Sequence, residues 1–280
     1  MFEELPKGPP IPTLPYQPGM FGGLQHGQVR LPEYPTPYSL IQMKPDATIA
    51  RRLQQHALIR IAVPDDLRQV EPLFSPVHTK VTRTMHSQSP HIDFPHLDRD
   101  PRRYNLFWAE APRTGAATYF IPLTHAAQAE RLLQDFLCGN AEVWAMAEPI
   151  FAAHRNDPAS LSRYPLPQLA VDAFTVLTRD GDDTLWRQLS GFGQTTVSAR
   201  VLGNTVAGTR CVSHILANLN GIAYLETWRR PYVILFDDTR FYHGRIGVGD
   251  SGGDFYRVWV TGEPIGGLSY FDPTRSVAAA

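Results

Sequence analysis

From residue 124 to about 192 the apolar residues recur at helical spacing, and on both sides of that stretch they recur at strand spacing. Thr124 can cap a helix whose Ala129, Leu132, Leu133, Phe136 and Leu137 form one apolar stripe, and Gly139 ends it. A second helix follows Asn140 and carries Val143, Trp144 and Ala147; a third carries Leu169, Ala170, Ala173, Phe174 and Leu177. Before this insert, residues 58–63, 80–85 and 103–108 read as strands. After it, strands resume near 195–202 and again over 232–238 and 254–261, runs rich in β-branched and aromatic residues. A helix from Asp46 to about Ala57 precedes the first of these strands, and Pro64-Asp65-Asp66 opens a short helix with proline and acidic residues in its first turn. One helical insert within a set of strands excludes regular strand–helix alternation, and no strand is followed by a glycine-rich phosphate loop.

The residues with chemistry to offer fall on either side of the insert. Pro90-His91-Ile92-Asp93-Phe94-Pro95-His96 places an imidazole and a carboxylate two residues apart. On an extended strand those side chains point the same way, so His91 and Asp93 can grip one ion, or can form an ordinary hydrogen-bonded pair. A distant His243 would complete two imidazoles and one carboxylate, a set that leaves half of an octahedral metal open. His243 lies in Thr239-Arg240-Phe241-Tyr242-His243-Gly244-Arg245, and Gly247 to Gly253 reads as a glycine-rich turn joining a hairpin. On this reading His243 and Arg257 occupy neighbouring strands and face one cavity. The planar fork of an arginine there matches a carboxylate.

The order of these pieces is His-x-Asp on an early strand, a long insertion, Phe-Asp-Asp-x-Arg-x-x-His-Gly-Arg, then a later strand arginine. It resembles the Fe(II)/2-oxoglutarate-dependent oxygenases, and within them the taurine dioxygenase and clavaminate synthase group. A further segment, Ala111-Pro112-Arg113-Thr114-Gly115-Ala116-Ala117-Thr118-Tyr119-Phe120, is similar to the Pro-x-x-Gly-Gly-x-Thr-x-Phe stretch that follows His-x-Asp in that group, with Ala116 where a second glycine is usual. The likeness covers roughly residues 80–122 and 230–262. It implies that His91, Asp93 and His243 hold Fe(II), that 2-oxoglutarate and O2 are cosubstrates, and that Arg257 and Thr118 fix oxoglutarate, with Arg245 as a second arginine on that side. It also implies oxidation of a small-molecule substrate, most simply hydroxylation, with release of succinate and CO2. A carboxylate among the metal ligands leaves no position for halide, so hydroxylation is expected over halogenation. Two rivals remain: a non-catalytic β-barrel protein that binds a metal or ligand, and a zinc-dependent hydrolase on the same ligands. Neither gives Arg257 and Thr118 a task.

Strands before and after a helical insert, with ligands split between an early strand and a late hairpin, predict a mainly β fold with a helical insert (α+β). The expected form is a double-stranded β-helix, or jelly roll, with buttressing helices and the site in one open end. With 280 residues, 43% of them hydrophobic, the chain fits one large domain. The expected organisation is a Pro/Gly-rich N-terminal arm over 1–39, the oxygenase domain over 40–270 and a tail over 271–280. Tyr16, Phe21 and Tyr34 predict an arm pinned to the body as a loop; the alternative is an arm lying over the mouth of the site. The net charge of −1, with no basic cluster, argues against nucleic acid or an anionic membrane as partner. Cys138 and Cys211 lack the spacing of a disulfide framework or a zinc site. No basic start with an apolar core opens the chain and no run approaches a membrane span, so a cytoplasmic location is expected. Lys7, Lys44 and Lys80 are the only lysines among 26 basic residues, an arginine bias associated with GC-rich bacterial coding and hence with secondary metabolism. Substrate identity and oligomeric state are not written in the sequence.

Other residues near the motifs compete for roles. His86 has no carboxylate beside it, and His96 follows Pro95 where it could meet a substrate with Asp98. Asp98 and Asp100 beside Arg99, Arg102 and Arg103 read as a solvated charge run. Arg240 and Arg245 flank His243. By alternation Arg245 shares its face and can meet cosubstrate, substrate or a carboxylate such as Asp237, while Arg257 is preferred for oxoglutarate. Trp108, Tyr119 and Tyr242 have faces suited to lining a pocket and equally to core packing.

Overall fold

Apolar runs four to seven residues long, bounded by turn residues, become strands that pair into two sheets. The structure, a computed structural model, describes residues 7–21, 25–29, 38–43, 46–64, 79–80, 87–91, 104–109, 116–142, 145, 206–230, 232–238, 240–247 and 255–261. In chain order its elements are β1 (Thr13–Pro15), β2 (Gln25–Val29), β3 (Tyr38–Gln42), α1 (Ala47–His56), β4 (Leu58–Ala62), β5 (Thr79–Lys80), β6 (Gln88–His91), β7 (Tyr104–Ala109) and β8 (Ala116–Pro122). These are followed by α2 (Ala126–Gly139), α3 (Val206–Asn218), β9 (Tyr224–Glu226), β10 (Tyr232–Asp237), β11 (Phe241–Gly247) and β12 (Phe255–Thr261).

The large sheet runs β1-β4-β10-β7-β12-β3-β2, with β5 also paired to β12; the small sheet runs β6-β11-β8-β9. From β5 to β8, and again from β9 to β12, every connection steps from one sheet to the other. The helical segment falls between these two passages, after β8 and before β9. The expected hairpin of β11 and β12 is therefore corrected: β11 pairs with β6 and β8, whereas β12 pairs with β7, β5 and β3. The physical reason is burial on both faces. A hairpin in one half-exposed sheet would put every other residue in water, yet β10 and β11 are buried along nearly their whole length, as continuous apolar runs require.

Alternation on the large sheet divides its side chains between two cores. Ile59, Ile61, Val233, Leu235, Leu106 and Trp108 point outward and are covered by Ile49 and Leu53 of α1 and by Met20, Phe21 and Met43. Leu58, Ile234, Phe236, Phe107 and Ala109 point inward and meet Phe120 and Phe241 of the small sheet. Asp46 caps α1 as its sequence predicts, its Oδ1 accepting from the Ile49 N–H at 2.8 Å, and Ala57 closes the helix at φ 56°.

Three local expectations differ from the structure. The N-terminal region, read as a loop, supplies strands: β1 runs parallel to β4, and β2 and β3 extend the far edge of the large sheet. Pro12 and Pro15 are tolerated because β1 is an edge strand that need not donate on its outer side. Thr124 is not a cap; it sits in a 3₁₀ turn, Leu123–His125, with its Oγ1 3.1 Å from His125 Nδ1, and α2 starts after that turn. Helix α3 was not anticipated, although its buried Cys211, Val212, Ile215 and Leu216, with Leu219 just past its end, follow helical spacing. The third helix of the insert and the strand at 195–202 lie outside the described residues, as do most of its second helix and of the short helix after Pro64. Among the described residues no helix is long and apolar enough to cross a membrane.

Candidate metal and carboxylate site

Strand β11 lies between β6 and β8, so its inward residues have neighbours on both sides. His243 stands opposite His91 on β6 and opposite Phe120 on β8. One step along, Arg245 stands opposite Gln88 and opposite Thr118. The pairing with β6 slips between these two positions, giving β6 an extra residue around Ser89 and Pro90, where a proline without an N–H fits a bulge. Directly opposed residues lie about 5 Å apart at Cβ and share a face of the sheet. His91 and His243 thus occupy register positions suited to one ion, whereas Asp93 and the side chain of His91 lie outside the described residues.

His243 is buried, and its surroundings fix which nitrogen is offered. Its ring meets Phe236 at 5.1 Å and Phe107 at 5.6 Å, both edge to face. The tight turn between β10 and β11, closed by Arg240 N–H to Asp237 C=O at 3.0 Å, folds Asp238 back so that its Oδ1 lies 3.1 Å from His243 Nδ1. Asp238 is fully buried and accepts a hydrogen bond from Asn105 Nδ2 at 3.2 Å. A carboxylate beside Nδ1 favours the proton there, which leaves Nε2 as the nitrogen available to a metal.

The next row holds a second polar cluster. Glu226, 1% exposed, stands opposite Thr118 on β9. Its Oε2 accepts from Arg60 Nε at 2.6 Å in an ion pair that ties the two sheets together, and its Oε1 accepts from the Trp228 backbone N–H at 2.8 Å. The Arg60 guanidinium also lies over the Tyr232 ring, 4.7 Å from its centre. The Trp228 indole N–H donates to Thr118 Oγ1 at 2.8 Å. In the large sheet the cross-strand row through Arg60 continues to Ile234, Phe107 and Arg257. Because Arg60 reaches Glu226, that row faces the row of Glu226, Thr118 and Arg245.

The structure therefore brings His91 beside His243 and Thr118 beside Arg245, and it places Arg257 on the facing row by its backbone register; the side chain of Arg257 lies outside the described residues. Arg240 is exposed and does not join them. His86, His96 and Asp98 lie outside the described residues. Trp108 packs in the outer core, and Tyr119 and Tyr242 alternate with the inward residues, so these three aromatics serve packing. Tyr119 lies under α3 close to Cys211, where burial pushes the thiol up to about 12 and holds the phenol well above its ordinary value. A thiol so shifted stays protonated near neutral pH and is a poor nucleophile there. Among the described residues no group of three His, Cys, Asp or Glu side chains is close enough to hold a metal.

Sequence reasoning missed Asp238, Asn105, Glu226, Arg60 and Trp228. Asp238 stood inside the His243 motif, five residues before it, and a turn between two strands was the signal that would return it to the ring. Glu226 and Arg60 are 166 residues apart and carry no local signal.

No family model matches the chain, and no curated protein matches it. Among solved structures it is similar to AAD-2 in complex with Mn(II) and N-oxalylglycine, at 12% identity over 85% of this chain and 98% of that one, TM-score 0.39. It is also similar to asparagine oxygenase in complex with Fe(II), 2S,3S-3-hydroxyasparagine and succinate, at 10% identity over 77% and 80%, TM-score 0.38. A third likeness is to the PvcB protein from Pseudomonas aeruginosa, at 11% identity over 85% and 91%, TM-score 0.36. Likeness at this level leaves fold and chemistry to be argued from the residues themselves.

Proposed function

We propose that this chain is a non-heme Fe(II)/2-oxoglutarate-dependent dioxygenase on a jelly-roll scaffold, akin to the taurine dioxygenase and clavaminate synthase group. The observation that carries the reading is the opposition of His91 and His243 on adjacent strands, with Asp238 at His243 Nδ1. The donor set fits the metal: His243 Nε2, His91 and Asp93 would hold Fe(II), a 2-His-1-carboxylate face suited to ferrous iron. The strand steps of the paired sheets, β5 to β8 and β9 to β12, agree with a double-stranded β-helix.

The carboxylate end has its own support. Thr118 and Arg245 stand one inward step from the His243 row, and two residues of strand span about 6.8 Å. A five-carbon dicarboxylate chelated at the metal by its 2-oxo acid end spans about that distance. Arg257, on the facing row opposite Phe107, supplies the planar fork for its distal carboxylate, with Arg245 as the second cation. Phe107, Phe120 and Phe236 exclude water around His243. The chemistry supplied by bound Fe(II) is activation of O2 to oxidise substrate, coupled to conversion of 2-oxoglutarate to succinate and CO2. Hydroxylation of a small molecule in bacterial secondary metabolism, in the cytoplasm, is the form of that chemistry we favour.

Incubation of the purified chain with Fe(II), ascorbate, 2-oxoglutarate and O2, with succinate as the readout, tests this. Iron-dependent succinate that disappears in Asp93→Ala and when Zn(II) replaces iron is the expected result. Tight zinc binding with no succinate from any iron-loaded sample would favour the hydrolase or the binding protein.

A further inference from the structure

Resting on the function proposed above, we infer that Trp228 is a positioning residue that aims the Thr118 hydroxyl at the distal carboxylate of 2-oxoglutarate. An indole N–H can only donate, so the 2.8 Å bond from Trp228 Nε1 takes one acceptor site of Thr118 Oγ1 and leaves the hydroxyl proton to point elsewhere. The neighbour across from Thr118 on β11, Arg245, carries only N–H donors and cannot accept the hydroxyl proton. The neighbour on the other side, Glu226, directs its carboxylate to Arg60 and to the Trp228 backbone. The proton of Thr118 is thus oriented for an incoming acceptor, and a carboxylate held by an arginine is such a group.

The support behind the indole is built rather than incidental. Trp228 is 1% exposed and sits at φ 52°, a left-handed conformation that costs a bulky residue conformational energy and persists where the surroundings enforce it. Its own N–H is pinned by Glu226, and Glu226 by Arg60 from the opposite sheet. The chain of contacts from Arg60 to Glu226 to Trp228 to Thr118 holds one hydroxyl in place.

Calorimetric titration of the Mn(II)-loaded full chain with 2-oxoglutarate, and with pyruvate, which lacks the distal carboxylate, tests the inference in the wild type, Trp228→Phe, Thr118→Val and the double variant. Trp228→Phe keeps an aromatic side chain and removes the donor; melting curves confirm that each variant is folded. Expected are a loss of 2-oxoglutarate affinity of about tenfold in Trp228→Phe, little further loss on adding it to Thr118→Val, and pyruvate binding unchanged. Wild-type affinity for 2-oxoglutarate in a folded Trp228→Phe protein overturns the inference, and so does equal weakening of both ligands. Absence of 2-oxoglutarate binding by the wild-type chain overturns the function proposed above and this inference with it.

Discussion

Replacing Glu226 with alanine removes a carboxylate that joins the two sheets through Arg60. Glu226 is 1% exposed and its side chain accepts from both Arg60 and the Trp228 backbone. Breaking a fully buried ion pair by deleting one partner costs about 3–5 kcal/mol. The Arg60 side chain is 21% exposed and keeps its stacking on Tyr232, so its share is smaller, about 1–2 kcal/mol. The Trp228 N–H, buried in its left-handed turn and stripped of an acceptor, adds about 1–2 kcal/mol. The sum is about 3 kcal/mol, or roughly 6 °C in Tm for a chain of this size. Glu226→Gln keeps an oxygen in place for Trp228 and loses only the charge, so about 1 kcal/mol and roughly 2 °C are expected. Differential scanning calorimetry of both variants beside the wild type gives the comparison. A Glu226→Ala protein melting within about 1 °C of the wild type would show that this inter-sheet pair contributes nothing to stability, and the reasoning from its burial would fail.

Asp238→Ala should lower Fe(II) or Mn(II) affinity by about 10- to 100-fold, measured by metal titration, because His243 loses the group that fixes its tautomer. Phe236→Ala, which opens a cavity against Phe107, Phe120 and His243, should cost about 3–5 kcal/mol in urea unfolding. Cys211 and Tyr119 are held protonated in the folded chain, so the unfolded chain loses those protons first as pH rises. Their contribution to stability should therefore be level up to about pH 9 and fall from there toward 12, and the fall in stability should be shallower in Cys211→Ala when urea midpoints are compared between pH 8 and 11.

Periodicity made much of the scaffold legible. Helix α1 with its Asp46 cap and the strands β4, β7 and β10 follow from short-range patterning, and each lies close to where its residues predict. The partners of those strands did not follow, because continuous apolar runs such as residues 232–237 look alike whether they enter a hairpin or cross to a second sheet. Strand β1 was hidden by its proline, which an edge tolerates and a central strand does not, and β2 and β3 by the prolines and glycines of the sequence around them. At the candidate site, His91, His243, Thr118 and Arg245 were visible as motif residues, and register explains their spacing. Glu226 ends a three-residue strand and Trp228 follows it, in an otherwise unremarked stretch, so only the tertiary contact with Arg60 and Thr118 reveals them.

The most direct measurement of the central claim is anaerobic visible spectroscopy of the metal-free chain titrated with Fe(II) and then 2-oxoglutarate. The account predicts a weak charge-transfer band near roughly 500 nm that requires both additions, as for a 2-oxo acid chelated on a 2-His-1-carboxylate iron, and that is lost in His243→Ala. A well-folded, iron-loaded chain that shows no such band, or a band that survives in His243→Ala, would contradict it.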